Sequence, residues 1–133
     1  MDKRDDKTWV TLELTNLGEI RVEEGLLERV LRRELDDSSI EIFIPVSQYR
    51  QNGRKVTLHL LEGYIFIQTG LSETKYFDLE HTPYIETVFS TRPLNGLRIL
   101  SVIENAHVEG MKDQLRAMAC RGLKSGDEVK IVK

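Results

Sequence analysis

The chain has 133 residues, of which 40% are hydrophobic and 31% charged, enough for one self-sufficient core and too apolar for a disordered polymer. Nineteen Lys and Arg against 22 Asp and Glu leave a net charge of −3, which excludes attachment to nucleic acid by overall charge. A single cysteine, Cys120, excludes a disulfide framework and a four-thiolate metal site.

Residues 1–7 read as a charged tail without the apolar stretch of a secretory signal. Thr8-Trp9-Val10-Thr11-Leu12-Glu13-Leu14 alternates apolar with polar and predicts a half-buried strand. Thr15-Asn16-Leu17-Gly18 breaks it, and Thr15 or Asn16 is placed to cap a helix over residues 19–35. In that helix Ile20, Leu27, Val30, Leu31 and Leu35 recur at helical spacing, while Glu28 and Arg32 form an i,i+4 pair. Gly25 weakens it by about 1 kcal/mol relative to Ala and is read as a close packing contact. Asp36-Asp37-Ser38-Ser39 is a turn.

Two long strand-like runs follow, residues 40–49 and 56–69. Pro45 marks an edge position or a bulge in the first. Between them lies Arg50-Gln51-Asn52-Gly53-Arg54-Lys55, whose Asn-Gly step is a strong hairpin signal. The second run is apolar on both alternating faces over residues 60–67, which predicts a central strand covered on both sides, one of them by a partner. A short helix from Ser72 to about Glu80 ends before Pro83. Residues 84–89 read as a strand, 91–96 as a loop and 97–100 as a short extended piece. Ser101 with Glu104 makes a capping box for a last helix carrying Val108, Met111, Leu115 and Met118, with Gly110 as a point of bending or late start. Residues 126–132 read as a turn and a strand. The order β-α-β-β-α-β-(β)-α predicts an α+β fold, a mostly antiparallel four-stranded sheet with about three helices.

Little here suggests catalysis. His59, His81 and His107 are widely separated and show no metal-ligand spacing with Cys120 or an acidic pair. Gly53, Gly63 and Gly70 lack the pattern and following helix of a phosphate loop, and there is no nucleophile elbow. No catalytic residue, cofactor, metal or small-molecule substrate is expected. The longest apolar stretches are far short of the ~20 residues of a membrane span, so a soluble, cytoplasmic protein is expected. The element order is also that of an RRM, and Gly63-Tyr64-Ile65-Phe66-Ile67 partly matches the RRM stacking motif. Glu62, Ile65 and Thr69 depart from it at the cation, small-residue and last aromatic positions. An RRM-like single-stranded RNA-binding module is the alternative reading.

Trp9 in a first strand, Glu19 opening a helix, Ile42-Phe43-Ile44-Pro45, the basic hairpin, Leu60-Leu61-Glu62-Gly63-Tyr64-Ile65-Phe66-Ile67, and Pro83 before Tyr84-Ile85 together resemble the NusG N-terminal (NGN) domain. The resemblance runs from about Thr8 to Met118, with Glu62 where a proline is usual and Val10 where an aromatic is common. It implies an NGN-like domain over residues 8–120, and residues 121–133 as a linker and the truncated start of a KOW-like module. It implies a non-enzymatic elongation or antitermination factor that docks an apolar patch on the clamp helices of the RNA polymerase largest subunit. Carried over, the patch falls on Trp9, Leu61 and Tyr64, with Phe66 and Ile44 as neighbours; a core role is the alternative for Trp9 and Phe66 and, to a lesser degree, for Tyr64. Arg50, Arg54 and Lys55 would lie near the DNA of the transcription bubble. The same three residues equally suit a solvated hairpin tip that guards an edge strand.

Overall fold

The computed structural model describes residues 6–123 and 129–132, with side chains as far as residue 119. In chain order the elements are β1 (Thr8–Leu14), α1 (Asn16–Glu23), α2 (Leu27–Leu35), β2 (Ile42–Phe43), β3 (Val46–Gln51), β4 (Arg54–His59) and β5 (Tyr64–Gln68). There follow α3 (Glu73–Asp78) with a 3-10 turn at Leu79–His81, β6 (Ile85–Val88), β7 (Ser90–Thr91), β8 (Ile99–Leu100), β9 (Val102–Glu104), α4 (Asn105–Leu123) and β10 (Val129–Val132). The class is α+β, as the sequence predicts, with four α-helices among the described residues instead of about three. The chain divides into two compact units: Met1–Ile44 with Gly63–Asn105, and Pro45–Glu62 with Ala106–Lys133.

The first unit is built on an antiparallel sheet in the order β2-β5-β1-β6. β1 is central. One of its edges pairs with β5, and the other is shared by β9, opposite Thr8 to Val10, and β6, opposite Leu12 to Leu14. Because side chains alternate across a strand, the register sorts residues onto two faces. Val10, Leu12, Ile65, Ile67 and Val88 share one face and are fully buried. At roughly 1.5–3 kcal/mol per buried Val, Leu or Ile side chain, this layer is the dominant stabilising element of the unit. Helix α2 adds Leu27, Leu31 and Leu35, buried at i,i+4 spacing, with the Glu28–Arg32 ion pair on another face.

Several local expectations are corrected. Residues 19–35 are not one helix: the chain breaks at Gly25, which adopts φ +73°, a left-handed value that only glycine adopts without strain. A Cβ there would meet nothing within 4 Å, so Gly25 is a hinge in the backbone and not a packing contact. Ile20, assigned to the apolar stripe, is exposed. The run over residues 56–69 divides into β4 and β5, separated by a turn that ends at Gly63 with φ +82°. The central, doubly covered portion is β5, where Ile65, Phe66 and Ile67 are buried. Ser101 and Glu104 do not cap a helix. Val102–Glu104 pairs with β1, and α4 starts at Asn105, whose backbone N–H donates to the Lys7 carbonyl at 3.0 Å. Gly110 lies inside α4 without interrupting it.

Thr15 is the N-cap of α1, as read from sequence. Its Oγ1 accepts from the Gly18 N–H (3.1 Å) and donates to the Pro83 carbonyl (2.5 Å). Gly18 is held so close to the neighbouring chain that a Cβ would sit 2.3 Å from the Tyr84 carbonyl oxygen.

In the second unit β3 and β4 form the expected hairpin. Asn52 (φ +52°) and Gly53 (φ +78°) both take positive φ, the requirement of a type I′ turn. Pro45 precedes β3, and its carbonyl accepts from the Leu60 N–H at 2.9 Å, closing the hairpin base. β10 pairs antiparallel with the other edge of β3. In α4, Val108, Leu115 and Ala119 are buried. The tail at residues 1–5 and the turn at Gly126-Asp127-Glu128 lie outside the described residues, as does the side chain of Cys120.

Candidate functional site

The second face of the first unit's sheet is aromatic. Tyr64 and Phe66 of β5 stand on it opposite Glu13 and Thr11, and Phe43 of β2 lies opposite Phe66. Phe43 and Phe66 are stacked, with ring centroids 6.0 Å apart. Trp9, on the same face of β1, donates its indole N–H to Asn105 Oδ1 at 2.9 Å. Trp9 is 1% exposed and Phe66 4%, so neither presents surface to a partner.

Exposure begins at Tyr64. It is half-buried, and its ring meets Phe89 edge-on, at 5.9 Å between centroids and 89° between planes. Phe89 is 39% exposed, and its backbone N–H donates to the Thr11 carbonyl on the far side of β1. The two rings therefore meet over the central strand, an apolar spot with one phenol at its margin. Ile44 is half-buried just after β2. Leu61, 39% exposed, belongs to the second unit. Phe89 was not among the residues the sequence singled out. Alternation alone could not have found it, because Ile85 and Phe89 have the same parity: only the register shift opposite Glu13 and Leu14 brings Ile85 onto the face of Val88 and leaves Phe89 on the other.

A second feature holds this end of the sheet in place. Arg98, next to β8, forks onto both carboxylate oxygens of Glu80 at 2.6 and 2.8 Å, and also donates to the Val88 carbonyl and Ser90 Oγ. Its guanidinium lies 4.2 Å from the centroid of Phe77. Glu80 also accepts from the Val88 N–H. The hydrogen bonds from Arg98 hold the Glu80 carboxyl below the usual carboxylate range, against the opposing effect of partial burial. The constellation ties the segments before and after Phe89 to one anchor.

Arg50, Arg54 and Lys55 are all exposed on the hairpin of the second unit. Arg50 lies directly opposite Lys55, and Gln51 opposite Arg54, so the three cations divide between the two faces of the ribbon. Among the described residues no group of His, Cys, Asp and Glu has metal-binding geometry, and no helix is long and apolar enough to cross a membrane. A shallow open cleft of about 550 Å³ is lined by Glu13, Leu14, Thr15, Asn16, Leu17, Pro83 and Glu86.

Comparison with known protein families matches residues 7–106 to a family described as transcription termination factor nusG. No curated protein and no solved structure matches.

Proposed function

Because the chain belongs to the NusG family of transcription factors, a non-catalytic family that works on RNA polymerase, we propose that it docks on the clamp helices of the polymerase largest subunit and modulates pausing or termination. The observation that carries this reading is the edge-on pair of Tyr64 and Phe89, an accessible aromatic spot on a sheet face whose other aromatics are buried. Aromatic anchors dominate protein interfaces, and an apolar spot of this kind suits the side of an amphipathic helix. Tyr64 and Phe89 are the anchors, Ile44 and Leu61 further contacts, and Trp9 and Phe66 brace the sheet from within. Arg50, Arg54 and Lys55 contact phosphates of the transcription-bubble DNA, and the factor acts in the cytoplasm.

The test is titration of the domain with an isolated clamp-helix coiled coil from the host polymerase, followed by NMR. Saturable shifts centred on Tyr64 and Phe89 are expected. Tyr64→Ala and Phe89→Ala should each weaken docking by roughly 1–3 kcal/mol without unfolding the domain. A folded domain that gives no shifts at near-millimolar coiled coil would overturn the docking proposal.

A further inference from the structure

Val88 precedes the exposed ring of Phe89, and side chains hold its backbone where a strand would be expected to. In an antiparallel pair, facing residues alternate between exchanging both hydrogen bonds and exchanging none. Val88 faces Leu12, while the next residue, Phe89, donates its N–H to the Thr11 carbonyl at 2.9 Å. Val88 is therefore at a position of the second kind, with its N–H and C=O turned away from β1. On that outer side stands the Glu80–Arg98 pair. Glu80 Oε2 accepts from the Val88 N–H at 2.8 Å, and Arg98 Nη2 donates to the Val88 carbonyl at 2.9 Å. Carboxylate and guanidinium together offer Val88 the acceptor and the donor of a further strand.

The pair also reaches past Phe89. Arg98 Nε donates to Ser90 Oγ at 3.0 Å, so four of the five guanidinium N–H groups are engaged. Phe89, between these two grips, accepts at its carbonyl from the Ser101 N–H at 3.1 Å. Every backbone N–H and C=O of Val88 and Phe89 thus has a partner. Burial follows the β7–β8 register: Ser90, Arg98 and Leu100 are half-buried, while Phe89, Thr91 and Ile99 are exposed. The pair works from the packed side, and the Phe89 ring leaves from the other. Water would satisfy the outward groups of an edge residue as well. What water does not supply is a fixed course for the chain, and with it a fixed direction for the Phe89 side chain.

We propose that Glu80 and Arg98 are positioning residues for docking, holding Phe89 against Tyr64 before the partner arrives. The inference rests on the reading of Tyr64 and Phe89 as anchors and adds the device that sets their geometry. Binding sites are held in productive geometry by supporting hydrogen bonds, and a side chain ordered only on association weakens binding. For one such side chain the loss is roughly two- to tenfold in Kd.

The experiment titrates the full chain with the isolated clamp-helix coiled coil and follows the ring-current shifts of Tyr64 and Phe89 by NMR. Arg98→Met and Glu80→Met should each raise Kd roughly two- to tenfold and shrink those shifts. Leu31→Val trims a buried leucine of α2 and lowers stability elsewhere in the unit, so it should leave both readouts at the parent values. In a Phe89→Ala background Arg98→Met should cost almost nothing further, because the ring it positions is gone. A parent Kd in both methionine variants, or an undiminished loss from Arg98→Met on top of Phe89→Ala, overturns the positioning role and leaves the docking reading standing. A parent that does not bind overturns the docking reading, and the positioning role with it. Circular dichroism confirms each fold. If a methionine variant does not fold, Arg98→Lys, which keeps the charge and loses the fork, is judged by the same two readouts.

Discussion

Trp9 and Asn105 show how one hydrogen bond fixes a residue's role. The indole N–H is spent on a buried amide oxygen, so the largest aromatic in the chain serves the sheet. Trp9→Phe should leave Asn105 Oδ1 buried without that donor and cost about 1–3 kcal/mol, read as a fall in the urea midpoint. In a double-mutant cycle with Asn105→Ala the two losses should be less than additive. Gly18 makes a sharper test. An Ala Cβ would lie 2.3 Å from a backbone carbonyl oxygen, and backbone cannot swing aside as a flexible side chain can. Gly18→Ala should destabilise by roughly 1–3 kcal/mol although helix propensity alone favours Ala. A thermal midpoint equal to the parent's would show that the Tyr84 segment yields. At this scale the sequence was legible where chemistry is local. Thr15 caps a helix because its hydroxyl is three residues from Gly18, and Asn52-Gly53 turns because both accept positive φ. Which aromatics are covered was not legible, since Trp9, Phe66 and Phe89 differ in packing and not in type.

Among the elements, β9 is the instructive miss. Ser101-x-x-Glu104 has the spacing of a capping box, yet Val102–Glu104 lies against β1. The pairing uses an edge of β1 more than ninety residues earlier in the chain, which no local pattern reports. The break at Gly25 was missed for a related reason: the helical periodicity continues through it, and only the φ of one residue turns α1 from α2. The anchor between the 3-10 turn and β8 gives a prediction with a sign. Glu80 has its carboxyl pKa lowered in the folded state, first by its hydrogen bonds from Arg98. Its contribution is therefore complete above the ordinary carboxylate value of 4.5 and is lost as pH falls through the lower folded value. Arg98→Ala should lower the thermal midpoint at neutral pH, and the gap to the parent should narrow as both are acidified below about pH 4. A gap that stays constant from pH 7 to about pH 3 would show that Glu80 does not need Arg98 to stay charged.

For the whole molecule, the two proposed ligands call for opposite physics. Docking through Tyr64 and Phe89 removes apolar surface from water, and this should change little with salt. Contact through the cationic hairpin exchanges counterions and should fall steeply with salt. One chain titrated with coiled coil and with DNA at about 50 and 300 mM salt should thus hold its first affinity and lose its second. If both fall together, charge drives both contacts and the aromatic spot is not the dock. The α+β class was readable from the chain because strand alternation and turn chemistry are carried by neighbours in sequence, and the family because stretches such as Ile42-Phe43-Ile44-Pro45 and Gly63-Tyr64-Ile65-Phe66-Ile67 resemble it. The division into two units was not, since each gathers two separate stretches of chain.

β2 and β5 are antiparallel partners, with Phe43 opposite Phe66, so the chain leaves at Ile44 and returns at Gly63 with the whole β3–β4 ribbon between. The ribbon is thus an excursion from a finished pairing, and its length is free to drift without disturbing Phe43 or Phe66. The drift is quantised. Adding one residue to each arm between Tyr49 and Arg50 and between Lys55 and Val56 would invert the tip, turning Arg50 and Lys55 to the Tyr49 side and Arg54 away from it. Only insertions of two per arm, about 7 Å of added length each, keep each of the three cations on its own face. Relatives with longer or shorter ribbons should differ by such even steps, so that ribbon length is counted in pairs of residues.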